Sequence, residues 1–232
     1  MSDLQLCLHH DLTLLVLDDT GGSFNGTMIE YGVAGAILSE LLLQGFLKVS
    51  PDDEKLVAVA IDKTTGDPIL DEVIKMIAES KNPESLQTWV YNVACISKLC
   101  HRVAQQLVDL GILEFNENKI LWLFTQNLYP EIDSSYEKAL RNNLAEAMFT
   151  KDLKVSERTA VLISFAKSTG ALHANFAPVE LKKHDSRINE ICEGKQLASG
   201  ATADAIAAVQ ACMTAVTVAS TIAATTAINA SS

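Results

Sequence analysis

Apolar residues along the chain fall into runs of helical spacing, separated by short stretches of Gly, Pro, Asn and acidic residues. Residues 11–19, DLTLLVLDD, make an early apolar segment that ends at the loop signal TGGSFNG. YGVAGAILSELLLQG then reads as a helix, with Ile37, Leu41 and Leu42 on one side and Gly45 just past its end. Beyond it, FLKV and KLVAVAI read as two strands joined by SPDDE. In TGDPILDEVIKMIAESKNP, Asp67 is placed to cap the first amides and Pro68 suits the first helical position. Leu70, Val73, Ile74 and Ile77 recur as a buried stripe. Pro83 opens the next predicted helix, and a further one carries Ile96, Leu99, Val103 and Leu107 on one face and stops at Gly111.

LVDLGILEFNENKILWLF repeats the layout of LLLQGFLKVSPDDEKLVAVAI: a helix end, a glycine, a strand, a polar turn and a strand starting with lysine. Gly45 and Gly111 each supply the backbone freedom to turn from helix into strand. With its loop at residues 116–118, the second hairpin pairs Ile112 with Trp122, Leu113 with Leu121 and Phe115 with Lys119. A two-residue turn shifts that register by one. Either way the second strand is apolar on both faces, so its own fold buries it or one face, with Trp122 and Phe124, docks in an oligomer or at a bilayer. Further on, Ser134 and Glu137 have the spacing of a capping box, SERTAVLISFAKSTG is an apolar helix closed by Gly170, and APVELKKHDSRINEIC is amphipathic. Residues from about 205 to 232 are Ala/Thr-rich, and Ile206, Val209, Met213 and Val216 form a stripe. That run is long enough to span a bilayer, but its small residues favour a closely packed C-terminal helix with a frayed tail. With no low-complexity linker, residues 1–232 read as one domain.

Hydrophobic residues make up 48% of the chain and aromatics 6%, so the core is aliphatic and the predicted class is mainly α, one globular helical domain with β-hairpins. Helix plus hairpin also ends a winged-helix DNA reader, but a formal charge of −11 repels a phosphate backbone and argues against nucleic acid. The basic stretches Lys98, His101, Arg102 and Lys182, Lys183, His184, Arg187 read as solvated helix faces. Five cysteines without a C-x-x-C pair suggest neither a disulfide framework nor a zinc site, and the N-terminus lacks a secretory signal, so a cytoplasmic protein is expected. His9 and His10 are adjacent, not at ligand spacing, and His101, His173 and His184 lack metalloprotease-type context. GVAG at 32–35 has no phosphate-loop frame and fits close helix packing. Asp18, Asp19 and Glu30 read as solvated acids flanking a turn. No nucleophile, base and oxyanion donor assemble, so no catalytic residue, metal or cofactor is assigned.

LVLDDTGGSF, YGVAGAILSELLLQGFLKV, TGDPILDEVIKMI, LVDLGILEFNENKILWLF and HANFAP stand in the order and at the spacings of the Golgi phosphoprotein 3 family. The resemblance covers roughly Asp11 to Pro178, and the Ala-rich end is similar to that of bacterial members. It implies a mainly helical domain with a protruding hairpin, and a non-enzymatic peripheral membrane protein. It further implies partners in a phosphatidylinositol 4-phosphate headgroup and in proteins, glycosyltransferase tails among them. The membrane-facing or self-associating hairpin falls on residues 116–125, with Ile120, Leu121, Trp122, Leu123 and Phe124 as its apolar part. The family's lipid-pocket tryptophan and three arginines fall on Asn25, Ala34, Ser97 and Cys100, none of which supplies a cationic donor. A soluble adaptor that keeps the fold without lipid recognition is the alternative, and a winged-helix regulator the second.

Overall fold

The computed structural model describes residues 6–18, 22–26, 28–50, 55–58, 63–120 and 124–198; of residues 55–58, 119, 120, 124 and 125 it describes the backbone. The expected C-terminal helix from about 205 lies outside the described residues.

The core is built around α2 (Ile29–Leu43), whose residues from Gly32 to Leu42 are all buried. The one-sided apolar face expected from Ile37, Leu41 and Leu42 is thus replaced by a helix enclosed all round, as a helix without a polar stripe must be. Around it stand α1 (Leu8–Val16), α4 (Leu86–Ala94) and α7 (Glu157–Ser168). The close approach of α7 depends on the glycines of GVAG. A Cβ on Gly35 would lie 2.4 Å from the Phe165 ring, and one on Gly32 2.4 Å from the Thr169 methyl.

One strongly polar intrusion into this core is an ion network. Glu40 of α2 accepts Arg158 of α7 on both oxygens, at 3.0 and 2.7 Å, and also the Leu8 amide at 2.6 Å. Arg158 reaches Asp11 of α1 as well, at 3.2 Å, so a single guanidinium joins three helices.

Gly45 (φ 75°) turns the chain from α2 into β1 (Leu47–Val49), which pairs antiparallel with β2 (Lys55–Ala58). On the other edge of β2 lies β3 (Glu84–Ser85), giving the order β1-β2-β3. Pro83 therefore precedes a strand rather than opening a helix. The second edge of β2 pairs with residues 84–85, and the Ser85 hydroxyl then accepts the Thr88 amide to start α4. The intervening α3 (Pro68–Ala78) forms as read from sequence, with Asp67 accepting the Ile69 and Leu70 amides at 2.8 and 3.1 Å.

Gly111 (φ 74°) ends α5 (Leu99–Asp109), and Ile112 and Leu113 are buried with Leu14, Leu107 and Tyr129 in a second apolar cluster. The hairpin that follows departs from the expected register. β4 (Asn116–Ile120) and β5 (Phe124–Leu128) pair from Asn116↔Leu128 to Ile120↔Phe124, so NEN is strand rather than loop. Ile112, Leu113 and Phe115 precede the paired segment: Lys119 pairs with Thr125 rather than Phe115, Leu113 bridges Glu131, and the expected partners Leu121 and Trp122 lie outside the described residues. The reason is burial: seating Ile112 and Leu113 in the core leaves the polar residues to span the projecting ribbon.

α6 (Ser135–Phe149) starts without the expected capping box. Asp133 accepts the Ser135 amide at 2.9 Å, Ser134 makes no side-chain cap bond, and Glu137 pairs with Arg141 instead. After α7 come α8 (Ala171–Asn175), α9 (Pro178–Lys183) and α10 (Asp185–Cys192), so the predicted amphipathic segment breaks at His184. Arg187, read as a solvated residue, donates to the Ala147 carbonyl at 3.0 and 2.8 Å and closes the end of α6.

Candidate functional site

Two features stand where the sequence placed functional residues. The first is a cleft between the first turn of α2 and the connection from α4 to α5. It encloses about 350 Å³ and is lined by Phe24, Ile29, Glu30, Ser97, Lys98, Cys100 and His101, among others. Lys98 adopts a left-handed conformation (φ 55°) immediately before α5, so the chain reverses sharply and the start of that helix borders the cleft.

The cleft carries little positive charge. Burial, and then the Glu30 carboxylate, push the Cys100 thiol up to about 12, so it stays neutral. His101 is lowered from its ordinary value by burial and by Lys98, with Glu30 opposing. Its Nδ1 lies 3.0 Å from the Tyr129 hydroxyl, and its ring meets Phe24 edge-on at 5.3 Å. Arg102, one turn into α5, is engaged by Glu72 of α3. Lys98 and the α5 N-terminus are left to face Glu30, a weak set of donors for a multiply charged phosphate.

Of the four positions expected to form a headgroup pocket, the structure brings two together here, Ser97 and Cys100. Asn25 is exposed beside Phe24, its amide donating to the Val16 carbonyl at 2.6 Å. Ala34 is wholly buried inside α2 and borders no surface.

The second feature is the ribbon of β4 and β5. Its stem is polar and exposed from Asn116 to Asn118 and at Gln126. The last described pair, Ile120↔Phe124, stands at the far end from the buried Ile112, Leu113 and Tyr129. Leu121, Trp122 and Leu123, which join that pair in sequence, lie outside the described residues.

A third cluster was not anticipated. His9 and His10, adjacent in the first turn of α1, hold their rings 4.1 Å apart and both approach Asp67 at the start of α3. His9 Nε2 is 3.0 Å from Asp67 Oδ2, and Gln106 of α5 bridges the pair's other side, its Nε2 donating to Asp67 Oδ1 and its Oε1 lying 3.0 Å from His10 Nε2. Cys7 joins them as the residue that caps α1. Spacing within one helix could not reveal this grouping, because the carboxylate comes from 57 residues further on. The one signal was Asp67 itself, a cap residue with a second oxygen to spend.

A mainly helical single domain with small hairpins defines the fold class. The profile of the family described as Golgi phosphoprotein 3 (GPP34) matches residues 8–209, and the chain belongs to that family. It is 30% identical over 172 residues to vacuolar protein sorting-associated protein 74 of Schizosaccharomyces pombe, an alignment covering 65% of this chain and 50% of that protein. The chain spans about half the length of this curated relative. Among the described residues no helix is long and apolar enough to cross a membrane.

Proposed function

We propose that the protein is a non-enzymatic, peripheral membrane-contacting member of this family, and that it engages lipid through the apolar end of the β4–β5 ribbon. The observation that carries this reading is the register. Pairing closes at Ile120↔Phe124, at the end of the ribbon remote from the core, while the stem is polar; in sequence Leu121, Trp122 and Leu123 stand between that pair. Apolar residues held away from the core on a polar stem suit an interface, and tryptophan suits the headgroup region.

The net charge of −11 opposes attraction to anionic lipid, so contact rests on apolar insertion and should be insensitive to salt. Specific phosphoinositide recognition is not part of the proposal. Ser97, Cys100 and a neutral His101 in the cleft offer no guanidinium, and Glu30 repels phosphate. The bacterial-type character rests on the Ala/Thr-rich segment alone, since the relative reported above is eukaryotic.

Flotation of purified protein with neutral, phosphatidylglycerol-containing and phosphatidylinositol 4-phosphate-containing vesicles tests the reading. Recovery with all three, lost in a folded Trp122→Ser/Phe124→Ser variant, is the expected outcome. Unchanged recovery in that variant contradicts it. The soluble adaptor reading is favoured instead if no vesicle retains the wild type and the double substitution alters oligomer size.

A further inference from the structure

We propose that Cys7, His9, His10 and Asp67 form a closed, four-donor site for a borderline divalent cation, with Zn²⁺ the best match. One donor atom from each of the four residues lies within 4.8 Å of all the others. Bonds of 2.0–2.3 Å at tetrahedral angles place ligand atoms about 3.3–3.8 Å apart. Asp67 Oδ2 already stands 3.0 Å from His9 Nε2 and 3.9 Å from His10 Nε2, which brackets that spacing. Small side-chain rotations complete the contraction.

The donor chemistry selects the metal. One thiol, two imidazoles and one carboxylate is a mixed set that suits Zn²⁺ or Co²⁺ and disfavours Mg²⁺ and Ca²⁺, which take oxygen. With thiolate and carboxylate bound, a dication is neutralised, which suits a site where His9 is fully buried and His10 and Asp67 nearly so. Four protein donors leave no open position, so the role is structural: the ion would clip the start of α1 to the start of α3.

Two further contacts define which donor atoms are available. His9 Nδ1 is buried without a hydrogen-bond partner, so no bond at that nitrogen opposes the tautomer in which Nε2, 3.0 Å from Asp67 Oδ2, presents its lone pair to an ion. Gln106 Nε2 donates to Asp67 Oδ1, the carboxylate oxygen outside the donor set, as outer partners of metal ligands do, whereas its Oε1 lies on His10 Nε2 and His10 Nδ1 accepts the Cys7 amide, so an ion bound by His10 replaces one of those two bonds. Cys7, His10 and Asp67 also line a cavity of about 400 Å³, which gives an ion a path in.

The test uses full-length, tag-free protein stripped with a chelator and titrated anaerobically with Co²⁺, then with Zn²⁺. The expected result is one Co²⁺ per chain, with intense tetrahedral visible bands and a near-ultraviolet sulfur-to-cobalt band, all bleached by Zn²⁺. Cys7→Ser, at a half-buried position that tolerates a polar side chain, should abolish the sulfur band. Gln106→Ala should weaken affinity by about 10–100-fold. A Cys95→Ser/Cys192→Ser/Cys212→Ser variant should bind as the wild type does. The proposal is overturned if the wild type binds no stoichiometric Co²⁺, or if the sulfur band survives Cys7→Ser.

Discussion

Gly35→Ala sets helix propensity against packing, and the structure decides the sign. Alanine in a helix interior is favoured over glycine by about 1 kcal/mol, so the substitution would stabilise an exposed helix. At this position the added Cβ meets two carbons of the Phe165 ring at 2.4 and 2.6 Å. Ordinary carbon contacts lie at roughly 3.5–4.0 Å, so about 1 Å must be cleared. Phe165 is fully buried and cannot swing into solvent, and its backbone is fixed in α7. Overpacking of this kind costs about 1–3 kcal/mol, and the rigidity of both helices argues for the upper half of that range. The net expectation is a loss of about 1–2 kcal/mol, which lowers the melting temperature by about 2–8 °C in a domain of this size. Calorimetry or a circular-dichroism melt reads it directly, and urea unfolding checks the free energy. In the double variant Gly35→Ala/Phe165→Leu, relief of the overlap should appear as favourable coupling of about 1 kcal/mol or more. A single variant that melts at or above the wild type would refute the reasoning, because only the propensity gain would then be expressed.

Arg158→Met leaves the buried Glu40 and the partly buried Asp11 without their cation, and should cost about 3–5 kcal/mol in urea unfolding; a loss below about 1 kcal/mol would contradict the network's role. Gly111→Ala adds a side chain at φ 74° with nothing within 4 Å, so the whole expected cost, about 1–2 kcal/mol, is backbone strain and should show as a lower melting temperature without loss of fold. His101 is depressed below the free imidazole value of 6.5, so the unfolded chain binds its proton more readily. Its contribution to stability should be complete above that value and fall as the pH drops toward the folded midpoint. Following its ring resonances by NMR should give a midpoint below 6.5, and His101→Gln should flatten that part of the stability profile.

The helical class, the position of α3 and the two glycine stops were legible in sequence because each has a local cause. Asp67 caps the nearest amides, Pro68 needs no donor, and Gly45 and Gly111 adopt positive φ where helix gives way to strand. The failures are non-local. Pro83 looked like a helix start until the edge of β2 took residues 84–85 into its sheet. The hairpin register followed turn chemistry in sequence, whereas the fold sets it by burying Ile112 and Leu113 first. Arg187 was read as solvated because nothing along the chain shows that the end of α6 lies beside it. The cleft was half legible: Ser97 and Cys100 meet there, but Ala34 sits at the centre of a helix that is buried on every side. His9 and His10 were dismissed on helical spacing, a rule that holds within one helix and says nothing of a carboxylate delivered by another.

The most direct test of the central claim uses the chain's own tryptophans, of which there are two. Trp89 is buried in α4 and its Nε1 has no hydrogen-bond partner, so Trp89→Phe sacrifices no such bond and leaves Trp122 as the sole reporter. Titrating this variant with neutral vesicles, some carrying brominated acyl chains, should shift the Trp122 emission to the blue and quench it, at low and high salt alike. Emission that neither shifts nor quenches at saturating lipid would contradict insertion of the ribbon's apolar end.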